Sequence, residues 1–135
     1  METKPLMRPA SIAETASRIQ KGEPANIAIG EFLDTYYALP VSARPAALDT
    51  APEPVMLPDA VQSRVTDAYL SAMAEALAYT DGFPCPGWAW DQRYFLADPW
   101  FGAQSDGMRL LLLRESPVFF RRRNLFVSAN VLRRA

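Results

Sequence analysis

The chain has 135 residues, half of them hydrophobic and 21% charged, which suits one domain large enough to bury a single core. It contains no histidine and one cysteine, Cys85, which excludes Ser-His-Asp and Cys-His catalysis, His-ligated or thiolate zinc, and an intrachain disulfide. The net charge of −1 hides a division: residues 1–108 hold seven Lys or Arg against fourteen Asp or Glu, whereas residues 109–135 hold seven Arg against Glu115 alone.

Met1–Ala10 carries Lys4 and Arg8 and runs into the mixed segment Ser11–Lys21, not into an apolar stretch with a small-residue cleavage site. No secretory signal is read, residues 1–10 are expected to be a flexible tail, and a cytoplasmic location is expected. The most apolar runs, Met108–Leu113 and Val118–Phe120, fall far short of the ~20 residues that cross a bilayer.

In chain order, Ser11 and Glu14 form a capping box behind Pro9 and predict a first helix over Ser11–Lys21, ended by Gly22. Pro24 restarts the chain, and Ile27, Phe32, Leu33, Tyr36, Tyr37 and Leu39 recur at helical spacing before Pro40, predicting a second helix with an aromatic face. Gly30 inside it costs ~1 kcal/mol relative to alanine, so either the helix bends there or another element packs very close. Pro40–Pro58 holds five of the twelve prolines, and within it only Pro45–Thr50 suits a short helix. From Asp59 to Thr80, Val61, Val65, Ala68, Tyr69, Ala72, Met73, Ala76 and Leu77 step by three and four, predicting the longest helix, which Asp81-Gly82 ends.

Phe83–Phe101 gathers Pro84, Pro86 and Pro99 with Trp88, Trp90, Trp100, Tyr94, Phe95 and Phe101, a Pro/Trp-rich loop with one helical turn around Asp91–Leu96. Ser105 or Asp106 caps a helix through Met108–Arg114, Pro117 starts a turn or two through Arg123, and Ser128–Arg134 suits a last short helix. No run alternates with period two for long enough to be a strand. The expectation is an all-α fold: a single domain over residues 1–135 with five to seven short helices.

Arg121-Arg122-Arg123, reinforced by Arg109, Arg114, Arg133 and Arg134, is the sharpest local feature, since guanidiniums pair bidentately with carboxylates or phosphates. Three consecutive helical residues point three ways, so at least one arginine is expected to pair with the acidic body and hold the C-terminal segment in place. Phe119, Phe120 and Phe126 interleave with the arginines, and Trp88 and Trp100 belong to the aromatic loop. Such side chains anchor interfaces, although core packing is the plainer reading of the aromatic cluster. Glu31 with Asp34, and Asp91 with Asp98, have spacings that metal binding or acid-base work requires, but the first pair fits a solvated helix face better. Cys85, between Pro84 and Pro86, has no histidine or helix start beside it and is expected to be a structural thiol. Glycine spacings for phosphate, dinucleotide or EF-hand loops do not occur.

The order Gly30-Glu-Phe-Leu-Asp-Thr-Tyr-Tyr37, Asp67-Ala-Tyr-Leu70 with Ala74-Glu-Ala-Leu77, Pro86-Gly-Trp88, Asp98-Pro-Trp-Phe101 and Ser116–Phe126 resembles a family of small uncharacterised bacterial proteins, from about Ile12 to Ala135. Its most specific string is Ser-Pro-x-x-Phe-Arg-Arg-Arg-x-x-Phe. The resemblance implies an antitoxin-like partner of nucleotidyltransferase-like proteins and brings no assigned active residues. It also suggests a helix-turn-helix with Gly22-Glu-Pro24 as the turn. There, however, Glu14, Glu23, Glu31 and Asp34 outnumber Arg18 and Lys21, which disfavours DNA contact.

The expected function is a non-enzymatic protein-interaction module. Arg121, Arg122 and Arg123 would engage an acidic cleft of a partner enzyme, with Phe119, Phe120, Phe126, Trp88 and Trp100 as apolar anchors and no cofactor or metal. The alternative is a nucleic-acid-binding transcriptional regulator using the same arginines, against which the acidic remainder counts. An enzyme working with carboxylates alone would require two acids brought together in a pocket.

Overall fold

The computed structural model describes residues 8–134, so the expected tail lies outside the described residues through Met7. Of its last residues, Pro9 is buried and the Ala10 amide donates to Glu14 Oε1 at 2.5 Å. Helix α1 (Ile12–Gln20) starts where Ser11 Oγ accepts the Glu14 amide, and it buries Ile12, Ala16 and Ile19 along one stripe. Gly22, at φ 112°, takes the left-handed turn that costs glycine nothing and leads into α2 (Ala25–Ala38). Helix α2 buries Phe32, Leu33 and Tyr36 but leaves Tyr37 exposed. Of the two expectations for Gly30, close approach is the one found: a Cβ there would lie 3.0 Å from the Arg134 guanidinium.

A 3-10 turn, Val41–Ala43, leads into α3 (Arg44–Leu48). Arg44 donates from Nε and Nη2 to the Leu39 and Tyr37 carbonyls at the end of α2, and from Nη1 to Asp81 Oδ1 at 3.0 Å. Asp81 also accepts the Tyr36 hydroxyl at 2.7 Å, so the C-terminal ends of α2 and α4 are tied together.

Helix α4 (Ala60–Asp81) is the hub. Asp59 Oδ1 accepts the Val61 and Gln62 amides at its start, and Gly82 closes it at φ 78°. Twelve of its 22 residues are buried, more than one amphipathic stripe supplies. Small residues at Ala68, Ala72, Ala74, Ala76 and Ala78 let α1, α6 (Val118–Arg121), β2 (Leu125–Phe126) and the loop turns approach it from several sides.

The aromatic loop makes two 3-10 turns where one was expected, Gly87–Trp90 behind Pro86 and Gln92–Tyr94 behind Asp91, whose Oδ1 accepts the Arg93 amide. The expectation of no strand is also corrected: β1 (Trp100–Phe101) pairs in parallel with β2 (Leu125–Phe126), two residues a side being too short to alternate visibly. Between them lie α5 (Asp106–Glu115), capped by Ser105, and α6 (Val118–Arg121). Ser128–Arg134 forms two successive turns and no helix. Ser128 Oγ takes the Asn130 amide and Glu115 Oε1 takes the Ala129 amide, local bonds that compete with a helical ladder. Six α-helices among the described residues make the architecture all-α, and none of them is long and apolar enough to cross a membrane.

Candidate interaction site

The three consecutive arginines have different fates. Asn124, at φ 64°, reverses the chain after α6 and donates its side-chain amide to the Leu96 carbonyl at 2.8 Å. That bend drives Arg123 into the interior, where it is 0% exposed. Its Nε donates to Ser71 Oγ at 2.5 Å, Nη1 to Glu75 Oε1 at 2.7 Å and the Phe119 carbonyl at 2.8 Å, and Nη2 to the Ala89 carbonyl at 2.8 Å. Burial lowers the pKa of this guanidinium, while the Glu75 carboxylate opposes the shift. A buried cation is tolerable only when paired and hydrogen-bonded in this way.

Arg122 stays at the surface with Nη1 3.1 Å from the other Glu75 oxygen, Oε2. One carboxylate therefore serves two guanidiniums, and the surplus positive charge is presented by the exposed one. The Arg122 guanidinium lies 5.1 Å from the Trp90 ring centre and 5.9 Å from that of Phe119. Phe119 meets Tyr79 at 5.4 Å, and Trp90 stacks on Phe95 at 6.1 Å. Tyr79, Phe119, Arg122, Trp90 and Phe95 thus form one continuous row drawn from α4, α6 and the aromatic loop. Tyr79 is 75% exposed and Trp90 47%. Arg121, also exposed, donates from Nη2 to the Ser116 carbonyl at 2.6 Å.

The other expected contact residues lie deeper. Phe120 is fully buried against Tyr69, 5.0 Å between ring centres, and Phe126 is buried in β2, stacked on Phe101 at 4.9 Å. Arg123, Phe120 and Phe126 are therefore corrected from surface anchors to interior residues, because each is enclosed by α4 or by the strand pair. Trp88 is half-buried: its indole N–H donates to the Leu48 carbonyl at 2.8 Å and its ring stands edge-on to Tyr94, so it braces α3 against the loop. Trp100, half-buried in β1, walls two cavities. Sequence reasoning did not single out Tyr79 and Trp90 as exposed members of this row. Tyr79 falls two residues past Leu77, off the stepping apolar stripe, and Trp90 shares one tight turn with the inward-facing Trp88.

The larger cavity is a groove of 830 Å³ between α2, α4, β1 and α5, with Leu33, Val65, Tyr69, Trp100, Met108 and Leu112 among its walls. No carboxylate lines it, and burial raises the pKa of the Tyr69 phenol. A pocket of 130 Å³ beside it sets Asp98 near Arg64 as its charged lining. Neither cavity brings two acids together. Glu31 lies 3.6 Å from Arg18, and Asp34 pairs with Arg134 at 2.9 Å, the hydrogen bond from Arg134 lowering the Asp34 pKa. Cys85 is half-buried and its thiol pKa is raised by burial. Among the described residues, no group of three or more carboxylates or thiols is placed to hold a metal ion. No family model, curated protein or solved structure matches the chain.

Proposed function

We propose that the chain is a cytoplasmic, non-enzymatic interaction module that docks on an acidic protein surface through the Tyr79–Phe119–Arg122–Trp90 row, with Arg121 beside it. The observation that carries this reading is Arg122, held between two aromatic faces with charge left over after Glu75 is shared. Tryptophan, tyrosine and arginine dominate binding hot spots, and a guanidinium already held by stacking loses less freedom on meeting a carboxylate. The mode of action is occlusion: the row covers an acidic cleft while Arg121 and Arg122 pair with its carboxylates. An antitoxin-like role toward a nucleotidyltransferase-like enzyme, as the family resemblance suggests, fits that polarity.

The test is affinity capture from the native cell with wild type and with R121E/R122E, each variant checked for native circular dichroism. Arg123 is left intact because it is buried and holds an interior network, so its loss would confound binding with stability. A stoichiometric protein retained by wild type and by the remote control R64E, but lost from R121E/R122E and weakened roughly tenfold or more by Tyr79→Ala, supports the reading. Equal capture by all variants overturns it. Nucleic acid in the eluate, with binding that falls steeply as salt rises, moves the same surface to the regulator alternative.

A further inference from the structure

Helix α5 carries four consecutive leucines, Leu110–Leu113, among the charges of Asp106, Arg109, Arg114 and Glu115. Met108 and Leu112 turn toward the groove, yet Leu110 is 63% exposed, and Leu111 and Leu113 are exposed as well. A cluster of exposed leucines marks an interface. At 100° per residue, Leu110 stands roughly opposite the buried Leu112. Asp106 and Leu113 flank it on one side, and Gly107 and Arg114 on the other.

From this arrangement we infer that α5 is the contact of a homodimer, in which two copies of the helix pair antiparallel and cross at Leu110. In that pairing Leu110 meets its own copy, each Asp106 lies level with the second copy's Arg114, and each Gly107 lies level with the second copy's Leu113. Neither Asp106 nor Arg114 has an ion-pair partner among the described residues. The other two charges of α5 are engaged within the chain. Arg109 lies over the Phe101 ring and donates to the Ala103 carbonyl, and Glu115 accepts the Ala129 amide. A Cβ built at Gly107 meets nothing within 4 Å, so its own fold does not require glycine there, whereas a leucine approaching from outside finds a gap. A parallel pair would set Arg114 against Arg114 and Asp106 against Asp106. Antiparallel pairing turns both repulsions into attractions and opposes the helix dipoles favourably. Two-fold symmetry of this kind also closes the contact, so that it does not propagate into a chain of copies.

Sedimentation velocity over a dilution series tests the contact. Wild type is expected to sediment as twice the 15.0 kDa chain at high concentration. D106R and R114D should each weaken association roughly tenfold or more, and the exchange D106R/R114D should bring it back to within a few-fold of wild type. L110E should give a folded monomer, and in a C85S background L110C should cross-link to its own copy on oxidation. A wild type that stays monomeric throughout, including one that binds only an unrelated protein through α5, overturns the proposal. So does an exchange variant that associates no better than its parents while all three keep native circular dichroism.

Discussion

The interior cluster at Arg123 and the surface clamp at Arg134 are made from the same parts: an arginine of the C-terminal segment and a carboxylate far back in the chain, 48 residues away for Glu75 and 100 for Asp34. They differ in water. Arg123 has exchanged its hydration for four protein acceptors, so losing any part leaves buried polar groups uncompensated. Arg134 grips Asp34 through two nitrogens at 2.9 and 3.1 Å but remains in solvent, which replaces whatever is removed. An arginine–carboxylate pair can thus matter greatly at one end of a segment and be nearly silent at the other.

The sharpest way to break that comparison is Arg123→Ala, expected to cost about 3–5 kcal/mol in urea unfolding, a large part of the stability of a domain this size. Replacing both members, Glu75→Met with Arg123→Met, should recover at least half of that loss, because matched apolar side chains leave no orphaned charge in the interior. No recovery would mean that the hydrogen bonds to Ser71 and Ala89 matter more than the charge. Tyr36→Phe, which removes the hydroxyl donated to Asp81, should cost about 1 kcal/mol, since Arg44 keeps its hold on that carboxylate.

The Arg134 end is sharpened with Gly30. Gly30→Ala should change little in wild type, because the helix propensity gained is offset by displacing the guanidinium lying over it. The same substitution in an Arg134→Ala background should stabilise by about 1 kcal/mol; equal effects in the two backgrounds would show that the contact is not felt. Smallest is the pH response. Because Arg134 lowers the Asp34 pKa, the pair's contribution is fully present above the ordinary carboxylate value of about 3.9 and disappears as pH falls through the lowered value. Melting temperatures of wild type and Arg134→Ala, slightly apart at neutral pH, should therefore converge in strong acid.

Most of the backbone was legible in the sequence because its signals are local. Ser11 with Glu14, Asp59 and Gly82 mark helix ends within one turn of themselves, and the three-four stepping from Val61 to Leu77 needs nothing from outside the helix. The fate of each arginine was not local. Nothing near Arg121-Arg122-Arg123 states which of them meets Glu75 in the interior, since that choice is made by the left-handed turn at Asn124 and by a carboxylate 48 residues earlier. The same holds for the parallel pair of Trp100 with Leu125, whose two-residue strands leave no pattern, and for Ser128–Arg134, where side-chain bonds outcompete a helix that composition allows. The aromatic–arginine row was half legible: Phe119 and Arg122 stood in the motif, while Tyr79 and Trp90 reach them only through the fold.

The burial of Arg123 also sets a timetable for synthesis. Glu75 and Ser71 leave the ribosome 48 and 52 residues before the cation they enclose, a wait of roughly 2–10 s at ordinary elongation rates. Throughout it, α4 carries a carboxylate destined for the interior with no counter-charge, and its alanine-lined flank has neither α6 nor β2 to cover it. The nascent hub is thus committed to a shape it cannot yet close. A ribosome stalled before codon 123 is expected to hold a protease-sensitive α4, and one stalled after residue 134 has cleared the tunnel is expected to hold a resistant one.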